Sequence, residues 1–172
     1  MKRLLFALLL LAGCQRDDTL DRRATATPTG LEAAAIQAGV IPDPASTDIT
    51  GLYAREADRV CVVPSATGYR IGVTVEYDDR EHCSGTGVVT RSGETLRVAF
   101  DTSRAGGCSF DARFEGDRIV FPGRLPAGCQ NLCTAHAAIS GLALERFSES
   151  ASEASTLRGP RGKLLCGDDM RP

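Results

Sequence analysis

The chain has no tryptophan, and only six phenylalanines and three tyrosines among its 172 residues. A core built from so few rings is modest and calls for other reinforcement. Histidine is scarcer still, with His82 and His136 alone. A Ser-His-Asp enzyme would need a nucleophile beside one of them. Ser84 stands two residues from His82, but side chains two apart on a strand share a face without forming a preset triad. No Gly-x-Ser-x-Gly elbow, phosphate loop or dinucleotide fingerprint occurs. Long apolar runs are missing too: Leu4–Leu11 falls short of the roughly 20 residues a membrane-spanning helix needs. A basic excess is also lacking. Lysine and arginine number 20 against 22 acidic residues, which leaves no electrostatic footprint for nucleic acid.

What is present begins at the N-terminus. Lys2 and Arg3 precede the apolar run, and Leu11-Ala12-Gly13-Cys14 closes it. This is the layout of a secretory signal, residues 1–13, which takes no part in the fold. The Leu-Ala-Gly-Cys ending resembles the lipobox of bacterial lipoproteins. The resemblance implies cleavage before Cys14, a diacylglycerol on its thiol and acylation of its new amine. Several acyl chains anchor stably where a single one binds marginally. Gln15 follows the cysteine where an Asp is absent. By resemblance to enteric lipoproteins, that implies the periplasmic face of the outer membrane. Loss of Lys2 and Arg3 with the signal lowers the formal charge from −2 to about −4.

With Cys14 assigned to lipid, six cysteines remain: Cys61, Cys83, Cys108, Cys129, Cys133 and Cys166. An even set in an oxidising compartment suggests up to three disulfides, whose pairing the sequence leaves open. Each crosslink can add roughly 2–4 kcal/mol, which compensates for a small core.

Residues 14–48 read as a lipidated tether, with Asp, Arg, Thr and Ala prominent in 15–30 and no apolar period. Within it, Leu31–Gly39 favours a short helix that Gly39 can end and Pro42 and Pro44 keep from continuing. From Ile49 the period becomes two. Tyr69, Ile71, Val73, Val75 and Tyr77 alternate with polar or small residues, the signature of a half-buried strand. Gly51–Arg55 and Arg59–Val63 make further strands. Gly87–Thr90 turns through Ser92-Gly93 into Leu96, Val98 and Phe100, a hairpin. Cys108, Phe110, Ala112 and Phe114 turn through Glu115-Gly116-Asp117 into Ile119 and Phe121, a second. Ala138–Phe147 supplies a last strand. The expectation is an all-β, mainly antiparallel domain over 49–147: a disulfide-braced up-and-down barrel or sandwich of seven or eight strands. Residues 148–172 read as an irregular tail stapled by Cys166, with a helical turn or disorder over 148–156 and little structure over 158–163.

Cys129, Cys133 and His136 carry zinc-type donors, but a fourth ligand is not evident and disulfides are the default fate of envelope cysteines. The expectation is no metal and no cofactor. Asp78, Asp79, Arg80, Glu81 and His82 form a charged cluster beside Cys83. Its carboxylates could hold a hard cation, yet Arg80 sits among them and no Gly-centred calcium loop is present. A solvated loop is expected, held firmly enough to serve as a contact surface. Loops 101–107 and 122–136 are further contact candidates.

Gly51-Leu52-Tyr53 resembles the Gly-x-Trp opening of lipocalin-like barrels and of periplasmic metalloprotease inhibitors, with the Trp replaced. The inhibitor resemblance implies an early disulfide, a part Cys61 and Cys83 could play. It also implies a free N-terminal segment that enters the protease, which here would be the tether. The expectation for function is a cell-envelope lipoprotein whose β domain binds an envelope protein or a small ligand, without catalysis. The alternatives are a periplasmic protease or lysozyme inhibitor, and an envelope enzyme or metal-binding protein using His136 and the nearby cysteines.

Overall fold

A computed structural model describes residues 30–41, 43, 47–78, 80–102 and 107–167. The Leu11–Cys14 lipobox and Asp79 lie outside the described residues. The chain divides into two compact units, one up to Ile41 and one from Pro42 onward. In the first, helix α1 (Leu31–Gln37) forms from the Ala-rich run and ends at Gly39, whose φ is 68°. Gly39 N–H donates to Ile36 O and Val40 N–H to Ala35 O, the two bonds of a left-handed helix stop.

The second unit is a closed barrel of eight antiparallel strands in chain order: β1 (Gly51–Arg55), β2 (Asp58–Ser65), β3 (Gly68–Glu76), β4 (His82–Ser92), β5 (Thr95–Phe100), β6 (Cys108–Phe114), β7 (Arg118–Val120) and β8 (Ala143–Ser148). Closure comes from β1 against β8, with a register shift between Leu52 and Tyr53. Gly51 is required there, because a Cβ would run into the Ser148 carbonyl. The two-residue period sends one set of side chains inward on every strand. On β6, Phe110, Ala112 and Phe114 are buried while Ser109, Asp111 and Arg113 are exposed. Charged groups outside and apolar groups inside are the reverse of a membrane-spanning barrel. The interior is a filled core, with Tyr53, Ile71, Leu96, Phe114, Ile119 and Leu144 at most 1% exposed.

Both barrel ends are covered. At one, Phe100, Phe110 and Phe121 cluster with centroids 5.0–6.5 Å apart, and a 3₁₀ helix, Ala127–Leu132, packs over them. Two disulfides tie this segment down, Cys108–Cys129 to β6 and Cys83–Cys133 to β4. At the other end, Arg146 lies 5.5 Å from the ring centroids of both Tyr53 and Phe114, and Arg91 lies 5.0 Å from that of Phe114.

A second, smaller apolar cluster sits outside the barrel. Leu52, Cys61 and Val63 face outward from β1 and β2 and are covered by Ala154, Leu157, Leu165 and Cys166. The covering strap is helix α2 (Ala151–Ser155), capped by the Ser150 hydroxyl accepting from Glu153 N–H, followed by a turn whose ends pair at Arg158 and Leu164. The Cys61–Cys166 disulfide fixes it. Gly72 makes the approach possible: a Cβ there would sit 2.5 Å from Leu165 Cβ and 2.8 Å from Cys61 Sγ.

Four expectations need correction. Cys61 and Cys83 do not pair with each other; each reaches a partner far along the chain. Tyr77 follows the end of β3 and is exposed instead of extending the buried face. The last strand is Ala143–Ser148, because Ala137, Ile139 and Leu142 are buried within an irregular approach to it. The tail over 158–164 is a paired turn, since Leu165 and Cys166 anchor it to an apolar patch on the outer face of β1 and β2.

Candidate functional site

The outward face of β4 carries His82, Ser84 and Thr86, separated by inward Cys83 and Gly85. The strap crosses this face closely enough that a Cβ on Gly159 would lie 2.5 Å from Ser84 Oγ. Between strap, strand and the C-terminal end of the 3₁₀ helix with the residues after it lies a cleft of about 790 Å³. Ser84 and Thr86 line its floor, Asn131 and Thr134 one wall, and Pro160, Arg161 and Lys163 the other, with Asp101 at the end of β5. Such a volume is in the range of small-ligand and peptide sites.

The two walls are held by different disulfides, Cys83–Cys133 on one side and Cys61–Cys166 on the other. The strap turn is further fixed by Gly159 N–H donating to Lys163 O and by Arg158 donating to Gly162 O at 2.7 Å. Ser84, Thr86, Asn131, Asp101, Arg161 and Lys163 make no side-chain hydrogen bond or ion pair among the described residues. Their polar groups are therefore available to a ligand. His82 lines the cleft as well, and its backbone is clamped by Thr134, whose N–H donates to His82 O at 2.9 Å and whose Oγ1 accepts from His82 N–H at 3.1 Å.

The charged loop 78–82 borders this site. Asp78 Oδ1 accepts from Arg80 N–H at 2.7 Å and Glu81 N–H at 2.8 Å, and Thr134 Oγ1 donates to Arg80 O at 2.6 Å. Arg80 and Glu81 are thus tied to Asp78, and the Asp78 oxygen that a cation would need is engaged by the backbone. Among the described residues no cluster of three or more His, Cys, Asp or Glu is arranged to hold a metal. Cys129 and Cys133 are joined to Cys108 and Cys83, so neither offers a thiolate beside the exposed His136. Of loop 101–107, Asp101 and Thr102 line the cleft; of 122–136, residues 131–134 do.

Two features escape a sequence reading. The Arg161–Lys163 turn becomes a wall only because Cys166 bonds to Cys61, 105 residues away. The barrel end opposite the 3₁₀ helix is governed by Arg146, which also donates to Asp48 O and Gly116 O. Burial pushes the Tyr53 phenol up to about 12, against the opposing pull of Arg146, and the hydroxyl donates to Ile49 O at 2.8 Å. Burial pushes Asp48 upward, but hydrogen bonds from Thr50 and Tyr69 outweigh it and hold the carboxyl below its ordinary range. No family model, curated protein or solved structure matches this chain.

Proposed function

We propose that this chain is a lipid-anchored protein of the cell envelope, held through Cys14 at the periplasmic face of the outer membrane, whose β domain acts by binding and not by catalysis. The observation that supports binding on the outer surface is where the open space lies. The barrel axis is filled by apolar side chains and both ends are covered, while the cleft beneath the strap carries Ser84, Thr86, Asn131, Arg161 and Lys163, whose side chains have no partner among the described residues. A filled barrel favours an envelope protein over a small apolar ligand carried inside. Lipidation supplies the address, and the tether gives the domain reach from the surface.

Replacing Cys14 by Ala moves the protein from the membrane to the soluble fraction with the β domain still folded; a membrane-bound variant would contradict the anchor. Affinity capture from lipidated cells, with a strap-deficient Cys61→Ser/Cys166→Ser chain as comparison, tests the binding role. A second reading, inhibition of a secreted protease or lysozyme, is favoured by the disulfide-held exposed turn at Arg161. Stoichiometric inhibition across a panel of such enzymes is its direct measurement.

A further inference from the structure

Lysine occurs only at Lys2 and Lys163 in the whole sequence. Lys163 and Arg161 are both exposed on the same wall of the cleft, and neither has an ion-pair partner among the described residues. Elsewhere on the barrel, arginines are used internally: Arg55 with Asp58, Arg97 with Asp111, and Arg113 and Arg118 with Glu115. The cleft therefore sets two free cations against one carboxylate, Asp101.

The floor and facing wall add Ser84, Thr86 and Asn131, groups that can each donate and accept. A peptide backbone needs one donor and one acceptor satisfied per residue, and such a row matches it. No Phe, Tyr or Trp lines the cleft among the described residues, and the His82 imidazole is its one aromatic ring, a small platform for stacking a nucleobase. Asp101 disfavours closely spaced phosphates, while it can accept an N–H from a peptide whose carboxylates are spread along the chain. Disulfides on both walls hold the groups in place before binding, which lowers the ordering cost.

We propose that this cleft receives an extended acidic segment of a partner protein, with carboxylates on Arg161 and Lys163 and backbone on Ser84, Thr86 and Asn131. The assignment rests on the binding reading above and names its partner's chemistry.

The test uses the full-length, detergent-solubilised protein and a fluorescent peptide of alternating Glu and Ser, with a Lys–Ser peptide as control. The Glu–Ser peptide binds, and added salt weakens it by screening. Arg161→Glu/Lys163→Glu, two exposed positions whose change leaves the disulfides intact, weakens it about tenfold or more, because reversing charge opposes rather than merely removes the attraction. A carbodiimide then joins a peptide carboxylate to the Lys163 amine as an amide, with net loss of one water, and the crosslinked residue is read by mass spectrometry. Equal binding of the two peptides would overturn the proposal, as would binding indifferent to the double charge reversal. Displacement by glycerol phosphate more readily than by glutarate would overturn it in favour of a lipid headgroup. Partner capture in cells separates the two levels. A partner held equally by wild type and Arg161→Glu/Lys163→Glu leaves binding standing and removes the cleft; no partner for either chain takes down both.

Discussion

Arg146 and Arg161 show what separates the covered barrel end from the cleft. The Arg146 side chain is 9% exposed, lies against Tyr53 and Phe114, and donates to the carbonyls of Asp48 and Gly116. Its charge is spent on joining β8 to β1, β6 and the chain entering the barrel. Arg161 is exposed on a turn that is already held by Arg158, Gly159 and the Cys61–Cys166 bond. Its charge does nothing for the fold. The first arrangement stabilises; the second leaves a guanidinium in position for another molecule.

The comparison breaks most visibly if the strap is cut loose. Cys61→Ser/Cys166→Ser opens a loop of 105 residues, and loops of this size give roughly 3–5 kcal/mol of stabilisation when closed. Urea unfolding measures the loss. Because Leu157, Leu165 and Cys166 belong to the outer cluster and not to the barrel core, amide exchange accelerates over 157–166 well before it does in β3–β6. Uniform acceleration would mean that strap and barrel form one cooperative unit.

Arg146→Ala is expected next in size. It leaves the Asp48 and Gly116 carbonyls without their donor and removes the cation from two rings, for roughly 2–3 kcal/mol in chemical denaturation. A loss below 1 kcal/mol would show that Arg91, also against Phe114 and donating to Thr47 O, secures that end alone.

How much of this was legible follows from which interactions are local. Alternation along β3, β5 and β6 is a local pattern, and the turns at Gly93 and Gly116, with φ of 61° and 85°, are marked by their residues. These are enough to specify antiparallel hairpins. The choice of barrel over sandwich depends on β1 meeting β8 across some 90 residues of chain, and no local signal carries it. The cysteine count implied crosslinks, yet each pairing is a spatial fact. The outward Leu52, Cys61 and Val63 are covered by residues at 154–166, a pairing too distant along the chain for any local pattern to announce. The cleft inherits that blindness: His82 and Ser84 stand two apart on one strand, while Arg161 and Lys163 lie in a tail that shows no period of its own.

Alkaline pH probes the covered end without mutation. Burial pushes the Tyr53 phenol up to about 12 in the folded protein, from the 10.0 of a phenol in water as in the unfolded chain. The stability its neutral form contributes is complete below pH 10 and is lost as pH rises toward 12. Tyr69, raised by burial and by Asp48, acts in the same sense. Thermal unfolding across this window therefore falls with pH, and Tyr53→Phe flattens the fall while lowering stability near neutrality through the lost bond to Ile49 O. An unchanged slope in Tyr53→Phe would assign the alkaline loss to other groups.

The smallest expected effect is the one that isolates the cleft. Arg161→Ala/Lys163→Ala removes two exposed side chains with no hydrogen bond or ion pair among the described residues, so unfolding free energy stays within about 0.5 kcal/mol of wild type. Removing like charges from one turn even relieves a little repulsion. Acidic-peptide affinity falls in the same variant. That pairing of outcomes is the converse of Arg146→Ala, which lowers stability while leaving the two cleft cations in place. A drop in stability comparable to that of Arg146→Ala would show that the Arg161–Lys163 turn is held by its charges, and the contrast between a charge used in folding and one kept for recognition would not survive.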